Sequence, residues 1–430
     1  MAGSSDVHIK LFETLFPDET FSPQRSKELA AKLRQVAHNL CQKEDNQKAP
    51  SSSSSLSLRP SNKKAKKVKE IDFQQYQQRY VALEVMYIGH DYHGFARQEN
   101  IEETIEEHLF GAFNRCRLIP YGMSWQDLKY SRGGRTDKGV SGLGQVVALL
   151  LRSAGKNGEP PVSESQEYDY PALLNRVLPP EIRVLGWSTV PERFSARFSA
   201  HYREYKYYII DDGKLSVEKM RQGAQILLGE HDFRNFCKPD VVAVKSFVRT
   251  ILEVRLEYVP EMVCGQRRVL ELYIKGTAFL WHQVRCIAAL LLMIGHGKEE
   301  PGIMTSLLDI QATPRKPLYL MASEEPLLLF NCKYPDLNLN RSWKAHYGVR
   351  QGLDEAITSH LTRAAILHAM EKKILSDELQ GEDTNDFKHE RDQPHVPLLK
   401  RPKMFTVEEM MEKKADVIAL KEAKYARVQE

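Results

Sequence analysis

Hydrophobic and polar residues follow two different periods from Arg79 onward. Short runs rich in β-branched and aromatic residues predict strands, because residues two apart share one face of a strand. These runs occupy 79–89, 145–151, 182–190, 203–211, 247–259, 268–276 and 326–334. Apolar residues at helical spacing predict helices at 104–116, 170–178, 216–229, 279–295 and 303–310. Strands and helices therefore alternate in two successive sets, which predicts an α/β or α+β body.

The two ends of the chain lack this pattern. Residues 1–70 contain one amphipathic stretch, a run of serines and a cluster of five lysines, and they offer too little apolar surface to fold alone. We predict a disordered or weakly helical basic extension, whose lysines suit a nuclear-import signal, a loose nucleic-acid contact or a solvated linker. Residues 341–430 are polar and helix-prone, which predicts a helical C-terminal extension.

Composition narrows the protein class without identifying a partner. The chain has 430 residues, of which 42% are hydrophobic, and a net charge of +4, so it can bury a sizeable core but its charge implies no particular polyanion. Its six cysteines form no CxxC pair and no cluster at zinc spacing, which predicts reduced thiols in an intracellular protein without a metal site. The first residues lack an apolar signal core and the run Cys286–Gly295 is too short to span a bilayer, so we expect no membrane contact.

A glycine-rich stretch carries one acid among several cations. In Tyr130–Ser153 the side chain of Asp137 lies close in sequence to Arg132, Arg135 and Lys138, just before an apolar run that predicts a buried strand. The glycines permit a tight turn, so the acid would be held on a rigid support. An ordinary turn aspartate that accepts hydrogen bonds from nearby backbone is the alternative.

Two further stretches contain residues that suit RNA chemistry. The strand around 203–211 would place Tyr205 on the same face as Arg203 and Tyr207, and tyrosines beside arginines suit base stacking next to phosphates. A half-buried edge strand with a solvated basic face is the alternative. Arg285 lies inside an apolar helix, where an unpaired charge is costly. Asp137 and Arg285 could therefore satisfy each other.

Five stretches occur in the order that they have in a known family. GRTDKGV, ARFSAHYREYKYYI, GEHDFRNFCK, FLWHQVR and LYL resemble the motifs of the TruA-type tRNA pseudouridine synthases, chiefly over residues 79–335. The resemblance implies an α+β fold of duplicated ferredoxin-like halves, with a mainly antiparallel sheet, helices on one face and a basic cleft. It places the N-terminal half of the catalytic domain at 71–200 and the C-terminal half at 201–340. It also implies an isomerase that converts uridine to pseudouridine without a cofactor, in the anticodon stem-loop at positions 38 and 39 as in the eukaryotic branch.

The resemblance also implies roles for individual residues. It makes Asp137 the catalytic aspartate, which acts as nucleophile or as base on the sugar. It makes Arg285 the arginine that pairs with this aspartate. Arg135 would help to displace and hold the target nucleotide, and Tyr205 would pack on the uracil. Leu318 would line the uracil pocket, and Lys138 and Arg203 complete the expected substrate-binding set.

The expected partners are tRNA and a second copy of the chain, in the nucleus, the cytoplasm or both. A non-catalytic RNA-binding protein could use the same basic and aromatic residues, although it would have no need for an acid among cations that hold phosphates. A nucleotide-binding enzyme is weakly suggested by the glycine-rich turn, which matches neither the P-loop nor the dinucleotide-binding glycine pattern.

Overall fold

The structure, a computed structural model, describes residues 71–378 and 395–415 together with positions 417 and 419. These residues belong to one compact unit of the chain. The predicted extension 1–70, with its serine run and lysine cluster, lies outside the described residues.

Within the described residues the chain forms nine strands and seven α-helices. The strands are β1 (Tyr76–Tyr87), β2 (Ser131–Arg132), β3 (Ser141–Lys156), β4 (Ile182–Thr189), β5 (Tyr202–Asp211), β6 (Gly229–Asp232), β7 (Val248–Cys264), β8 (Arg267–Gly276) and β9 (Leu327–Lys333). The helices are α1 (Ile105–Arg115), α2 (Tyr170–Leu174), α3 (Val217–Gln225), α4 (Gln283–Gly295), α5 (Ile303–Leu308), α6 (Trp343–Glu378) and α7 (Val407–Lys413).

All nine strands join in one sheet. Its order is β4-β1-β3-β9-β5-β8-β7-β6, and β2 pairs with β3 outside this path. Every pairing is antiparallel except that of β3 with β9, where Ser141 lies beside Leu328. The α+β class with a mainly antiparallel sheet is therefore confirmed. Strand β9 pairs with β3 and β5, so the strands of both predicted halves form one continuous sheet. The sheet has no break near residue 200, and the predicted boundary there stays a prediction.

Helices cover the sheet in two groups with separate cores. In the first half α1 and α2 pack on β1, β3 and β4, with Leu83 and Phe113 fully buried between them. In the second half α3 and α4 pack on β5, β7 and β8 around Tyr207, Leu272 and Leu290. Strand β5 buries alternate residues, as expected for a strand with one covered face, whereas β1, β3 and β4 bury continuous runs of residues on both faces. The face of β5 that carries Arg203, Tyr205 and Tyr207 is the buried one.

The strand β3 is longer than the sequence pattern predicts because two of its glycines belong to the strand. A Cβ atom on Gly142 would lie 2.5 Å from the ring of Tyr87, and one on Gly144 would lie 2.6 Å from the Cα atom of Asn331. These glycines therefore allow neighbouring groups to approach β3 closely, and they do not form a turn.

The helix predicted from residue 279 begins only at Gln283. His282 has φ 63° and ψ 9°, a left-handed conformation that cannot continue a right-handed helix. The preceding residues form a turn that leads into α4. Helix α6 lies within the predicted helical extension 341–430, and the short strands β2 and β6 were not predicted.

Candidate active site

The turn that carries Asp137 is fixed by hydrogen bonds from β3. The backbone N–H of Gly133 donates to the carbonyl of Val146 at 2.7 Å. The side chain of Gln145 donates to the carbonyl of Gly134 at 2.8 Å and accepts from its N–H at 3.1 Å. Gln145 is completely buried, so its side chain is fixed and this pair of bonds holds the turn in place.

The loop that follows β1 supports the same turn from the other side. The N–H of Phe95 donates to the carbonyl of Thr136 at 3.1 Å, and the hydroxyls of Thr136 and Tyr87 are hydrogen-bonded at 2.9 Å. Gly94 has φ 96°, and a Cβ atom there would lie 2.8 Å from the Thr136 carbonyl oxygen. Only glycine therefore allows the loop to pack this closely against the residue before Asp137.

Three side chains, from the turn before α4 and from its first turn, contact the carboxylate of Asp137. Trp281 donates its indole N–H to Oδ1 at 3.0 Å. Nε2 of His282 lies 3.2 Å from Oδ2, and Nη1 of Arg285 lies 3.5 Å from the same oxygen. The Asp137 side chain keeps 26% of its surface exposed. The acid is thus held from one side and open to a ligand on another.

These contacts favour the ionised form of Asp137. Burial by itself raises the pKa of this carboxyl, but the hydrogen bond and charge of His282, the hydrogen bond from Trp281 and the charge of Arg285 together lower the pKa below its ordinary value. Asp137 is therefore a carboxylate at neutral pH.

The predicted pairing of Asp137 with Arg285 is present, and Arg285 has two further partners. Its Nη2 atom lies 2.7 Å from Oε2 of Glu324, and its Nε–H donates to the carbonyl of Ala322 at 2.9 Å. The side chain of Arg285 is 9% exposed, against 38% for Glu324. One nearly buried guanidinium thus bridges two carboxylates, and the link to Glu324 is the shorter one.

Tyr205 lies in the buried layer beside this cluster. Its ring meets the ring of Phe279 edge to face at 4.9 Å. Burial, and to a smaller extent Cys332 and Asp137, raises the pKa of Tyr205 above its ordinary value, although Arg203 lowers it. The hydroxyl therefore stays protonated at neutral pH, and Tyr205 presents a neutral phenol with a flat apolar ring.

Arg203 occupies a different position from that expected of a substrate-binding residue. It is 9% exposed, and its guanidinium donates to the carbonyls of Gly133 at 2.8 Å, Arg197 at 2.7 Å and Thr277 at 3.1 Å. All three partners are backbone groups of this chain. The contacts assign Arg203 to holding the turn before Asp137, because its donors already face protein carbonyls.

The remaining predicted residues lie at the surface. Arg135 and Lys138 flank the acid, are exposed, and have no ion pair among the described residues, so both can meet a phosphate. Leu318 is 49% exposed, and its N–H donates to the carbonyl of Pro402 at 2.8 Å. The Lys238 ammonium lies 4.4 Å from the centre of the Trp281 ring, which adds another cation near the carboxylate.

Comparison with known proteins decides the family. The sequence model described as tRNA pseudouridine synthase matches residues 224–335. The tRNA pseudouridine(38/39) synthase of Homo sapiens is 42% identical over 328 residues, which cover 73% of this chain and 66% of that protein. The synthase of the same name from Saccharomyces cerevisiae is 38% identical, with 75% of this chain and 73% of that protein covered. The chain belongs to the tRNA pseudouridine synthase family.

Other comparisons agree with this membership or add nothing to it. A probable tRNA pseudouridine synthase of Caenorhabditis elegans is 36% identical over 352 residues, which cover 76% of this chain and 86% of that protein. Among solved structures, one chain of a Cbf5–Nop10–Gar1 complex overlaps with a TM-score of 0.24 at 12% identity, covering 49% of this chain and 45% of that chain. This overlap is too small to support an inference about the synthase fold.

Sequence reasoning missed three residues of the candidate site. Trp281 and His282 lie in the same motif as Arg285, but only the left-handed turn at His282 shows that both side chains reach Asp137. Glu324 lies far along the chain and pairs with Arg285 in the folded protein. A buried arginine predicts an acidic partner, and this signal could have indicated a second acid.

The described part of the chain shows no group of three or more His, Cys, Asp or Glu side chains arranged to hold a metal ion. The five cysteines within it are free thiols. No helix within that part is both long and apolar enough to cross a membrane.

Proposed function

We propose that this chain isomerises uridine to pseudouridine in the anticodon stem-loop of tRNA, at positions 38 and 39. The observation that carries the proposal is the ionised, partly open carboxylate of Asp137, held by Trp281, His282 and Arg285 beside the buried ring of Tyr205. The names of the human and yeast relatives support the choice of substrate and positions.

The reaction balances without any added reagent. The bond between N1 and C1′ breaks, the uracil rotates, a bond forms between C5 and C1′, and the proton lost from C5 is replaced by one on N1. Asp137 can serve as nucleophile or as base on the sugar, and both roles need the carboxylate form that its lowered pKa provides. The contacts of Asp137 therefore support both routes equally.

Tyr205 and Arg135 would handle the base once it has left the RNA stack. The raised pKa of Tyr205 keeps its hydroxyl protonated, so the residue offers a stacking face and a hydrogen-bond donor and does not act as a phenolate base. Arg135 projects from the same turn as Asp137 and is exposed. It is placed to brace the space that the extruded nucleotide leaves.

The decisive experiment supplies purified protein with unmodified tRNA and no cofactor, and maps pseudouridine at every position. We expect modification at positions 38 and 39. Binding of tRNA without any pseudouridine would favour the alternative of a non-catalytic RNA-binding protein.

Replacing Asp137 by asparagine should abolish pseudouridine formation and leave RNA affinity equal or slightly higher, because one negative charge near the phosphates is lost with little change in size. A matched control is Asp212→Asn, which removes an exposed carboxylate at the end of β5, where Asp212 pairs with Lys214 at 2.8 Å. The control should keep wild-type turnover. Turnover by Asp137→Asn at the wild-type rate would contradict the assigned role.

We also propose that the active form is a homodimer, in which one protomer holds the body of the tRNA while its partner modifies the base. The length of a tRNA relative to a domain of this size supports the proposal. Helix α6 offers exposed apolar side chains for such an interface, among them Leu361, Leu367 and Met370. Light scattering should give about twice the chain mass of 49.4 kDa. A fully active monomer would exclude this arrangement.

We propose a location in the nucleus, the cytoplasm or both, on the basis of the lysine cluster within 63–69. Imaging of the fluorescently tagged full chain, with and without glutamine at these lysines, tests whether the cluster directs nuclear import. An unchanged distribution would assign no targeting role to the cluster.

A further inference from the structure

The segment between β4 and β5 presents an exposed aromatic side chain. Phe198 is 80% exposed, and the guanidinium of Arg197 lies 5.2 Å from the centre of its ring. A single exposed phenylalanine needs no special explanation. This ring differs because the backbone that carries it is fixed to the turn of Asp137.

Three hydrogen bonds hold this segment in place. The N–H of Ala196 donates to the hydroxyl of Ser131 at 3.0 Å, and the hydroxyl of Tyr334 donates to the Ala196 carbonyl at 2.6 Å. The carbonyl of Arg197 accepts from Nη2 of Arg203 at 2.7 Å, and the same nitrogen donates to Gly133 at 2.8 Å. The guanidinium of Arg203 thus links the carbonyl of Arg197, one residue before Phe198, to the turn that precedes Asp137.

The surroundings of Phe198 are cationic. Arg193 and Arg197 are exposed, and neither side chain has an ion pair among the residues that the structure describes. The nearby acid Glu192 pairs with Lys129 at 3.0 Å, so its charge is already balanced. An open ring beside unpaired guanidinium groups is complementary to a base and its phosphate.

We propose that Phe198 and Arg197 form a binding site for one unstacked nucleobase of single-stranded RNA, close to the nucleotide that enters the Asp137 site. The base stacks on the open face of the Phe198 ring, and Arg197 meets a neighbouring phosphate. Gly133 precedes Asp137 by four residues, a span of at most about 14 Å, and Arg203 connects Gly133 to the Arg197 carbonyl, so the occupant is a nucleotide of the same loop as the target. The identity of the RNA as tRNA rests on the proposed function.

The test measures binding of anticodon stem-loop RNA to the full chain, without requiring any reaction. Phe198→Leu keeps an apolar side chain but removes the ring, and it should weaken binding by about 5- to 20-fold. Phe198→Trp should bind at least as well as the wild type. Arg197→Gln should weaken binding and lower the salt dependence by about one phosphate contact. At saturating RNA the Phe198→Leu variant should keep its kcat, with the loss confined to KM.

A set of RNAs, each with one abasic nucleotide in the loop, identifies the base that stacks. The loss of RNA affinity caused by Phe198→Leu should vanish for the RNA that lacks the stacking base. It should persist for all the other RNAs. An equal loss of affinity for every RNA, or no loss of affinity at all, would overturn the proposal. Stem-loop binding with this coupling but without pseudouridine in wild-type assays would overturn only the proposed function.

Ile210→Ala is the matched control, because Ile210 is 60% exposed and lies about 27 Å along β5 from Tyr202. It removes an exposed apolar side chain far from the site and should leave binding unchanged. Thermal unfolding should be the same for wild type and Phe198→Leu, since the ring is barely packed. A changed oligomeric state in Phe198→Leu with unchanged RNA affinity would assign the ring to an interface between copies and overturn the proposal.

Discussion

Replacing Arg285 by leucine should destabilise the protein, because the groups that contact its guanidinium lose a partner. The substitution keeps α4 apolar but removes the charge between Asp137 and Glu324, at 3.5 and 2.7 Å from the guanidinium. It also removes the donor to the Ala322 carbonyl. Glu324 and the Ala322 carbonyl then lose this partner, and Asp137 keeps Trp281 and His282, in a region where the arginine side chain was only 9% exposed.

The size of the effect follows from the exposure of the two acids. Breaking a fully buried ion pair by removing one partner costs about 3–5 kcal/mol. Asp137 and Glu324 keep 26% and 38% of their side-chain surface exposed, so water compensates part of the loss. We therefore expect the free energy of unfolding to fall by about 2–3 kcal/mol. For a protein of this size, this corresponds to a Tm lower by about 3–4 °C.

Thermal and urea unfolding followed by circular dichroism measure the change. The double variant Arg285→Leu with Glu324→Gln should recover part of the stability, because it neutralises the acid whose ion pair with Arg285 is lost. Arg267→Leu is the control: it removes an exposed arginine that pairs with Glu371 at 2.5 Å and should have little effect. An unchanged Tm in Arg285→Leu, or a double variant less stable than the single one, would refute the reasoning.

Three further predictions concern the acid and its support. Because its pKa is lowered, the carboxylate of Asp137 should make the rate of pseudouridine formation independent of pH near neutrality and decrease it only in acid. Trp281→Phe removes a hydrogen bond that lowers this pKa, so the acid limb of the pH–rate profile should move to higher pH; an unmoved limb would contradict the contact at 3.0 Å. Gln145→Leu leaves both backbone groups of Gly134 unpaired and should cost about 1–3 kcal/mol of unfolding free energy and lower kcat, as denaturation and single-turnover kinetics would show.

Much of the chain could be interpreted from local pattern. The alternation in 203–211 predicted a strand with Tyr205 and Tyr207 on one face, and both side chains are buried on the same face of β5. The isolated charge in the apolar run of α4 predicted an acidic partner, and Arg285 does contact Asp137. These inferences succeeded because side-chain period and the cost of a buried charge are local properties. The roles of the residues in catalysis, in contrast, came from the order of the motifs and stay predictions.

Other features depended on residues that are distant in sequence. Arg203 has the sequence context of an RNA-binding residue, but the fold brings the carbonyls of Gly133 and Thr277 to its guanidinium. Glu324 reaches the site only because β9 pairs with β3 and β5 in one sheet.

The sequence alone determined the approximate positions of the main strands and helices, and it indicated one acid and one arginine as candidates for a functional site. Only the tertiary structure decided how Asp137 is held. The left-handed backbone of His282, at φ 63°, turns the chain so that Trp281 and His282 both reach the carboxylate. No hydrophobic period records such a turn, because a single residue with positive φ changes the direction of the chain without changing the pattern around it.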